Sequence, residues 1–139
     1  MLALPPVELL RKIFDETRNI AVVGLSPKPE RPSHQVARYL LNVGYTIFPV
    51  NPGQNEIMGL TCYPDLLSIN QPVDVVDIFR RSEHVAPLVR DAVTIGARVI
   101  WMQQGVINQR AAHAAEQAGL LVIMDRCLKI EHMRSVADR

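Results

Sequence analysis

Ile20-Ala21-Val22-Val23-Gly24-Leu25-Ser26-Pro27-Lys28-Pro29-Glu30-Arg31-Pro32-Ser33 is the stretch that decides the fold. Its first four residues are a short continuous apolar run. Such runs read as strands buried on both faces, as in parallel sheets. Gly24 ends the run, and a loop with two cations follows. Upstream, Pro5-Pro6 precede a helix with an apolar stripe at Leu9, Leu10, Ile13 and Phe14. Downstream, a helix over Gln35 to Asn42 turns Val36, Ala37, Leu40 and Leu41 inward. Gly44 stops it, and Tyr45 to Phe48 form a second strand that ends or kinks at Pro49, which has no N–H for a ladder.

The same grammar repeats. Val73 to Phe79 read as a third strand, followed by a helix from about Ser82 with Val85, Leu88, Val89, Ala92 and Val93 inward. Gly96 stops that helix, and Arg98 to Trp101 form a fourth strand. Gln109 to Gln117 form a helix, Gly119 stops it, and Leu120 to Ile123 form a fifth strand. A last helix runs through Ile130 and Met133. Three times the order is helix, single glycine, strand, with the glycine supplying the left-handed residue that ends a helix. Alternating strands and helices imply parallel strands joined by crossovers. The expected architecture is a doubly wound, Rossmann-like α/β domain. It has a mostly parallel five-stranded sheet flanked by helices, with Gln54 to Asn70 as an irregular excursion. Residues 1–139 read as one domain, with a helical segment over 1–18 packing on it. Seven of the ten prolines fall between positions 27 and 72 and stiffen the loops of the first half.

Composition narrows the function. With 139 residues, 48% hydrophobic and 21% charged, the chain is long and apolar enough to bury its own core. Fifteen Lys and Arg against fourteen Asp and Glu give a formal charge of +1. A broad basic field for nucleic acid or an anionic membrane is therefore not expected. Cys62 and Cys127 form neither a disulfide framework nor a zinc pattern, and read as reduced thiols of a cytoplasmic protein. The first residues carry Glu8 and Arg11 rather than a signal-peptide pattern, and no apolar run has membrane-spanning length.

In an open α/β sheet, ligands bind beyond the carboxyl ends of the strands, where the strand order reverses. The segments placed there are Gly24 to Ser33, Val50 to Gly53, Arg80-Arg81, Met102 to Gly105 and Asp125 to Cys127. In the first of them Gly24 allows close backbone approach, and Ser33 is expected to cap the next helix. Lys28 and Arg31 flank that helix N-terminus. This chemistry suits a phosphate or pyrophosphate.

A nicotinamide dinucleotide fingerprint needs GxGxxG and an acid at the end of the second strand. Here Gly24 stands alone and Asn51-Pro52 replace the acid. NAD is disfavoured, and an NADP-binding redox protein stays as an alternative. A receiver domain would need an acidic cluster where this chain has Gly24-Leu25-Ser26. Asp74 and Asp77, three apart on one strand, face opposite ways and are not a paired acid and base. Asp77 is expected to be buried and hydrogen-bonded. His34, His84, His113 and His132 have no metal-ligand spacing, and no nucleophile elbow or Walker loop is present. His34 either touches an anion or supports the helix start. Cys127 is either a reactive thiol beside Arg126 or a half-buried structural cysteine. Trp101 either lines a pocket or packs in the core.

Gly24-x-Ser26, Pro27 through Ser33, Pro49-Val50-Asn51-Pro52, Gly59, Val73-Asp74, Trp101-x-Gln103-x-Gly105, Gly119-Leu120 and Arg126-Cys127 together resemble the stand-alone CoA-binding domain family. That family is similar to the N-terminal nucleotide-binding part of the succinyl-CoA synthetase α subunit. The resemblance extends from about Asn19 to Arg134. It implies that coenzyme A or an acyl-CoA lies over the carboxyl edge of the sheet. Gly24, Leu25, Ser26, Lys28 and Arg31 would hold phosphates, with Ser33 in the same set. Val50, Asn51, Pro52, Ile78, Phe79 and Arg80 would border the nucleotide, and Trp101, Gln103 and Gly105 would line the far side. CoA carries a pyrophosphate and a ribose 3′-phosphate, so cations serve it better than a carboxylate near the ribose. The family's synthetases need further domains for catalysis, so binding without self-sufficient catalysis is expected. The alternative is that the chain is the CoA-binding component of a multi-subunit acyl-CoA synthetase or ligase. The N-terminal helix and the residues after Cys127 form a homodimer contact or pack on their own sheet.

Overall fold

The computed structural model describes residues 4–137. Five parallel strands form the central sheet: β1 (Asn19–Val23), β2 (Thr46–Val50), β5 (Val75–Ile78), β6 (Val99–Met102) and β7 (Leu121–Ile123), in the order β2-β1-β5-β6-β7. Helices α1 (Val7–Glu16), α2 (Pro32–Asn42), α3 (Val85–Thr94), α4 (Gln109–Gln117) and α5 (Leu128–Val136) alternate with them. This is the doubly wound, Rossmann-like arrangement read from the periodicity.

Two apolar layers hold the sheet. Leu10, Ile13, Phe14, Val36, Leu40 and Leu128 of α1, α2 and α5 pack against Ile20, Val22, Val75 and Trp101 on one face. Val85, Val89, Ala92, Ala111 and Ala115 of α3 and α4 pack against Ala21, Val23, Val76, Ile100 and Met102 on the other. Ile20 and Val22 are thus buried on one face and Ala21 and Val23 on the other, which is why the run is continuously apolar. Each such side chain contributes about 1.5–3 kcal/mol when fully buried.

Several boundaries differ from the sequence reading, for identifiable reasons. Strand β2 does not stop at Pro49 but runs to Val50, with Pro49 in register with Val22. β2 is an edge strand, and Pro49 turns its missing N–H outward; its carbonyl accepts from Tyr63 N on that free side. α2 starts at Pro32, three residues before the expected start, because proline is preorganised for the first helical position. Val93 is 40% exposed rather than inward. The excursion contains a hairpin, β3 (Glu56–Ile57) with β4 (Leu60–Thr61), turned by Met58 and Gly59 at positive φ. Asp77 is fully buried, but neither carboxylate oxygen has a hydrogen-bond partner. No helix among the described residues is long and apolar enough to cross a membrane.

Candidate functional site

The chain runs from β1 outward to β2, then returns to place β5 on the other side of β1. The switch point is therefore between the carboxyl ends of β1 and β5. Gly24 ends β1 there with φ +85, and its N–H donates to Val50 O at 2.8 Å. A Cβ at this position would lie 2.4 Å from Phe79 O and 3.2 Å from Arg80 Cδ. Only glycine lets the two strand ends approach this closely.

An open cleft of about 400 Å³ sits over this point, lined by Gly24, Ser26, Lys28, Arg31, Pro32, Ser33 and Phe79. Five of the phosphate-set residues read from the sequence, Gly24, Ser26, Lys28, Arg31 and Ser33, thus meet in one cleft with Phe79 from across the switch. The stem of Arg80 lies over Gly24, so a third exposed cation adjoins the two, Lys28 and Arg31, that line the cleft. Away from the cleft, Arg98 pairs with Glu16 and Asp74, and Arg134 with Glu131. A second hollow of about 380 Å³ beside β7 is lined by Leu4, Leu9, Ala112 and Ile123. Among the described residues its only charged lining group is Glu116, and it lies off the switch point, so it does not suit an anionic ligand.

Side chains fix the loop over the cleft. Ser33 is not the cap of α2; Arg31 occupies that position, without a side-chain cap bond. Instead Ser33 Oγ accepts from Ser26 N at 2.9 Å, and Ser26 Oγ accepts from Lys28 N at 3.1 Å. The buried ring of His34 places Nδ1 2.9 Å from Ser26 O, so it supports the loop. Both His34 N and Gln35 N donate to Arg31 O. The N–H groups of Ser26, Lys28, His34 and Gln35 are thus engaged within the loop, and Lys28, Arg31 and Arg80 are the cations at the cleft.

The remaining sequence-derived candidates are placed behind or beside the cleft. Leu25 is fully buried and anchors the loop in the core; Val50 and Ile78 are buried as well. Pro52 is exposed beyond the end of β2. Asn51 turns its amide to main-chain atoms, Nδ2 to Leu25 O at 3.0 Å and Oδ1 from Gly53 N at 2.9 Å. Trp101 resolves to core packing: it is 0% exposed, its ring lies 5.8 Å from Phe14, and Nε1 donates to Arg126 O. Gln103 is buried with Oε1 accepting from Leu128 N, and Gly105 N donates to Asp125 Oδ1 at 2.7 Å. These three organise the loop before α5 rather than the cleft. Cys127 is half-buried at the start of α5. Sequence reasoning missed the part played by the excursion: Tyr63 N donates to Pro49 O, Asn51 N donates to Tyr63 O, and Cys62 Sγ lies 3.5 Å from Asn51 O. No periodicity announces such irregular contacts.

The comparisons with known proteins fit this geometry. A family model described as a CoA binding domain matches residues 18–133. The uncharacterized protein YneT of Bacillus subtilis is 39% identical over 123 residues, spanning 88% of this chain and 91% of that protein. A hypothetical protein from Pyrococcus horikoshii OT3 superposes with a TM-score of 0.92 at 38% identity, covering 98% of this chain and 99% of that one. The dinucleotide forming acetyl-coenzyme A synthetase 1 of Ca. Korarchaeum cryptofilum, in complex with phosphate and ADP, superposes with a TM-score of 0.72 at 28% identity. There the match spans 84% of this chain but 27% of the synthetase. The switch-point cleft, the matched residues and these relatives together assign the chain to the CoA-binding domain family, related to the CoA-binding part of acyl-CoA synthetases.

Proposed function

We propose that this chain binds coenzyme A or an acyl-CoA in the cleft at the β1–β5 switch point. The observation that carries the reading is the group of three exposed cations, Lys28, Arg31 and Arg80, around a glycine where backbones nearly touch. Phosphates of CoA would lie against these side chains, with charge-assisted hydrogen bonds to the guanidinium groups. We read this as binding without self-sufficient catalysis. Near the cleft, His34 is engaged by the loop and Asp77 is sealed in the core.

Calorimetric titration with CoA, dephospho-CoA, acetyl-CoA, NAD and NADP tests the reading. Micromolar CoA binding is expected. Arg31→Ala should weaken it about tenfold, the equivalent of about 1.4 kcal/mol. Heat with NADP and none with either CoA form would overturn it.

One observation favours a second reading, in which the chain works in an assembly. α5 buries Glu131, His132 and Ser135, yet leaves Ile130, Met133 and Val136 at 57%, 49% and 40% exposure. If this stripe closes a homodimer, light scattering gives twice 15.6 kDa, reverting to one copy in Met133→Glu. A monomer at all concentrations would refute the homodimer.

A further inference from the structure

We propose that Asn51 is a positioning residue of this site, fixing the cationic loop through the Leu25 carbonyl without touching the ligand. The residue sits where β2 ends, and it is tied on four sides. Its main-chain N–H donates to Tyr63 O at 2.9 Å. Its carbonyl lies 3.5 Å from Cys62 Sγ. Its Nδ2 donates to Leu25 O at 3.0 Å, and its Oδ1 accepts from Gly53 N at 2.9 Å. The last bond closes an Asx turn that holds the side chain in one orientation. That orientation aims the amide N–H at Leu25, the first residue after the Gly24 pivot. The Leu25 side chain is fully buried, so its carbonyl and its side chain are both held, and the chain direction into Ser26, Lys28 and Arg31 is set.

The two ends of the Asn51 amide do different work. The acceptor end shapes its own turn; the donor end reaches across 26 residues of sequence to the loop. The excursion enters through Tyr63 and Cys62, which brace Asn51 from the free edge of the sheet. An aspartate at position 51 would keep the turn but would set a carboxylate oxygen against the Leu25 carbonyl.

The inference takes its ligand from the CoA reading but has a readout that does not depend on it. Amide heteronuclear NOE values over residues 24–31 are measured for the wild type, Asn51→Ala, Asn51→Asp and the control Val89→Ala, which loosens the core at α3 away from the cleft. Calorimetry with CoA runs in parallel. Expected are lowered NOE values over 24–31 in both Asn51 variants and not in the control. CoA affinity should fall at least tenfold in Asn51→Ala, which changes no charge, and less than twofold in Val89→Ala. Unchanged loop order in Asn51→Ala overturns the inference, whatever the ligand. Unchanged CoA affinity in that variant, with wild-type binding intact, overturns it as well. If the wild type binds no CoA, the functional reading fails, and the NOE values alone decide the role of Asn51.

Discussion

Replacing Asp77 by valine should stabilise this protein, and by more as pH rises. Asp77 lies in the middle strand β5, in register with Val22 on one side and Trp101 on the other. It is 0% exposed, and neither oxygen has a hydrogen-bond partner. Burial pushes its pKa well above the usual carboxylate range. The folded state therefore keeps a proton that the unfolded chain releases at about pH 4. Above that pH the folded state binds more protons than the unfolded one, so stability falls by about 1.4 kcal/mol per pH unit. The fall ends at the folded-state pKa, where both states release the proton. Valine removes the titrating group and two unpartnered polar atoms, each costing about 1–3 kcal/mol when buried. It also suits a strand between apolar neighbours. We expect a gain of at least about 2 kcal/mol at pH 7, and a Tm higher by about 6–8 °C at this chain length. The assay is urea unfolding of both proteins from pH 3 to 8, reported as the difference between them, which cancels groups common to both. The difference should be small at pH 3, grow above pH 4 and then level off. A valine variant less stable than wild type at pH 7, with a difference that does not grow with pH, would show that Asp77 is ionised and partnered, and the reasoning would fail.

Gly24→Ala combines left-handed strain with a Cβ 2.4 Å from Phe79 O, and should cost about 3 kcal/mol in chemical denaturation together with the CoA response. Gly119→Ala, at φ +91 with open space around the new Cβ, should cost only about 1–2 kcal/mol and leave ligand binding intact. Equal losses would refute the close-approach account. Ser33→Ala leaves the Ser26 N–H without its acceptor and should lower stability by about 1–2 kcal/mol in the same assay, although Arg31 is the residue at the helix cap. Iodoacetamide followed by mass spectrometry should label half-buried Cys127 first. Cys62 is 7% exposed with a thiol pKa raised by burial, and should react only as the protein unfolds.

What was legible in the sequence is what depends on local periodicity. Residues 20–23 are apolar at every position because β1 is covered on both faces, the pattern typical of strands in parallel sheets. Gly44, Gly96 and Gly119 all take positive φ, because a helix that ends sharply before a strand needs a left-handed residue there. The general rule for open sheets then put Gly24, Lys28 and Arg31 beyond the carboxyl ends of the strands. Tertiary structure decided how each rim residue is used. Trp101, Gln103 and Asn51 looked like ligand contacts, but each gives its polar group to a distant main-chain atom, at Arg126, Leu128 and Leu25. Pro49 stayed within its strand because β2 lies at an edge, a fact of sheet order rather than of residue type. Asp77 went unpartnered because its surroundings are assembled from β1, β5 and β6, which meet only in the folded chain. Residue type and spacing specify which face a side chain takes within its own element; its partners lie tens of residues away and are chosen only when the elements pack.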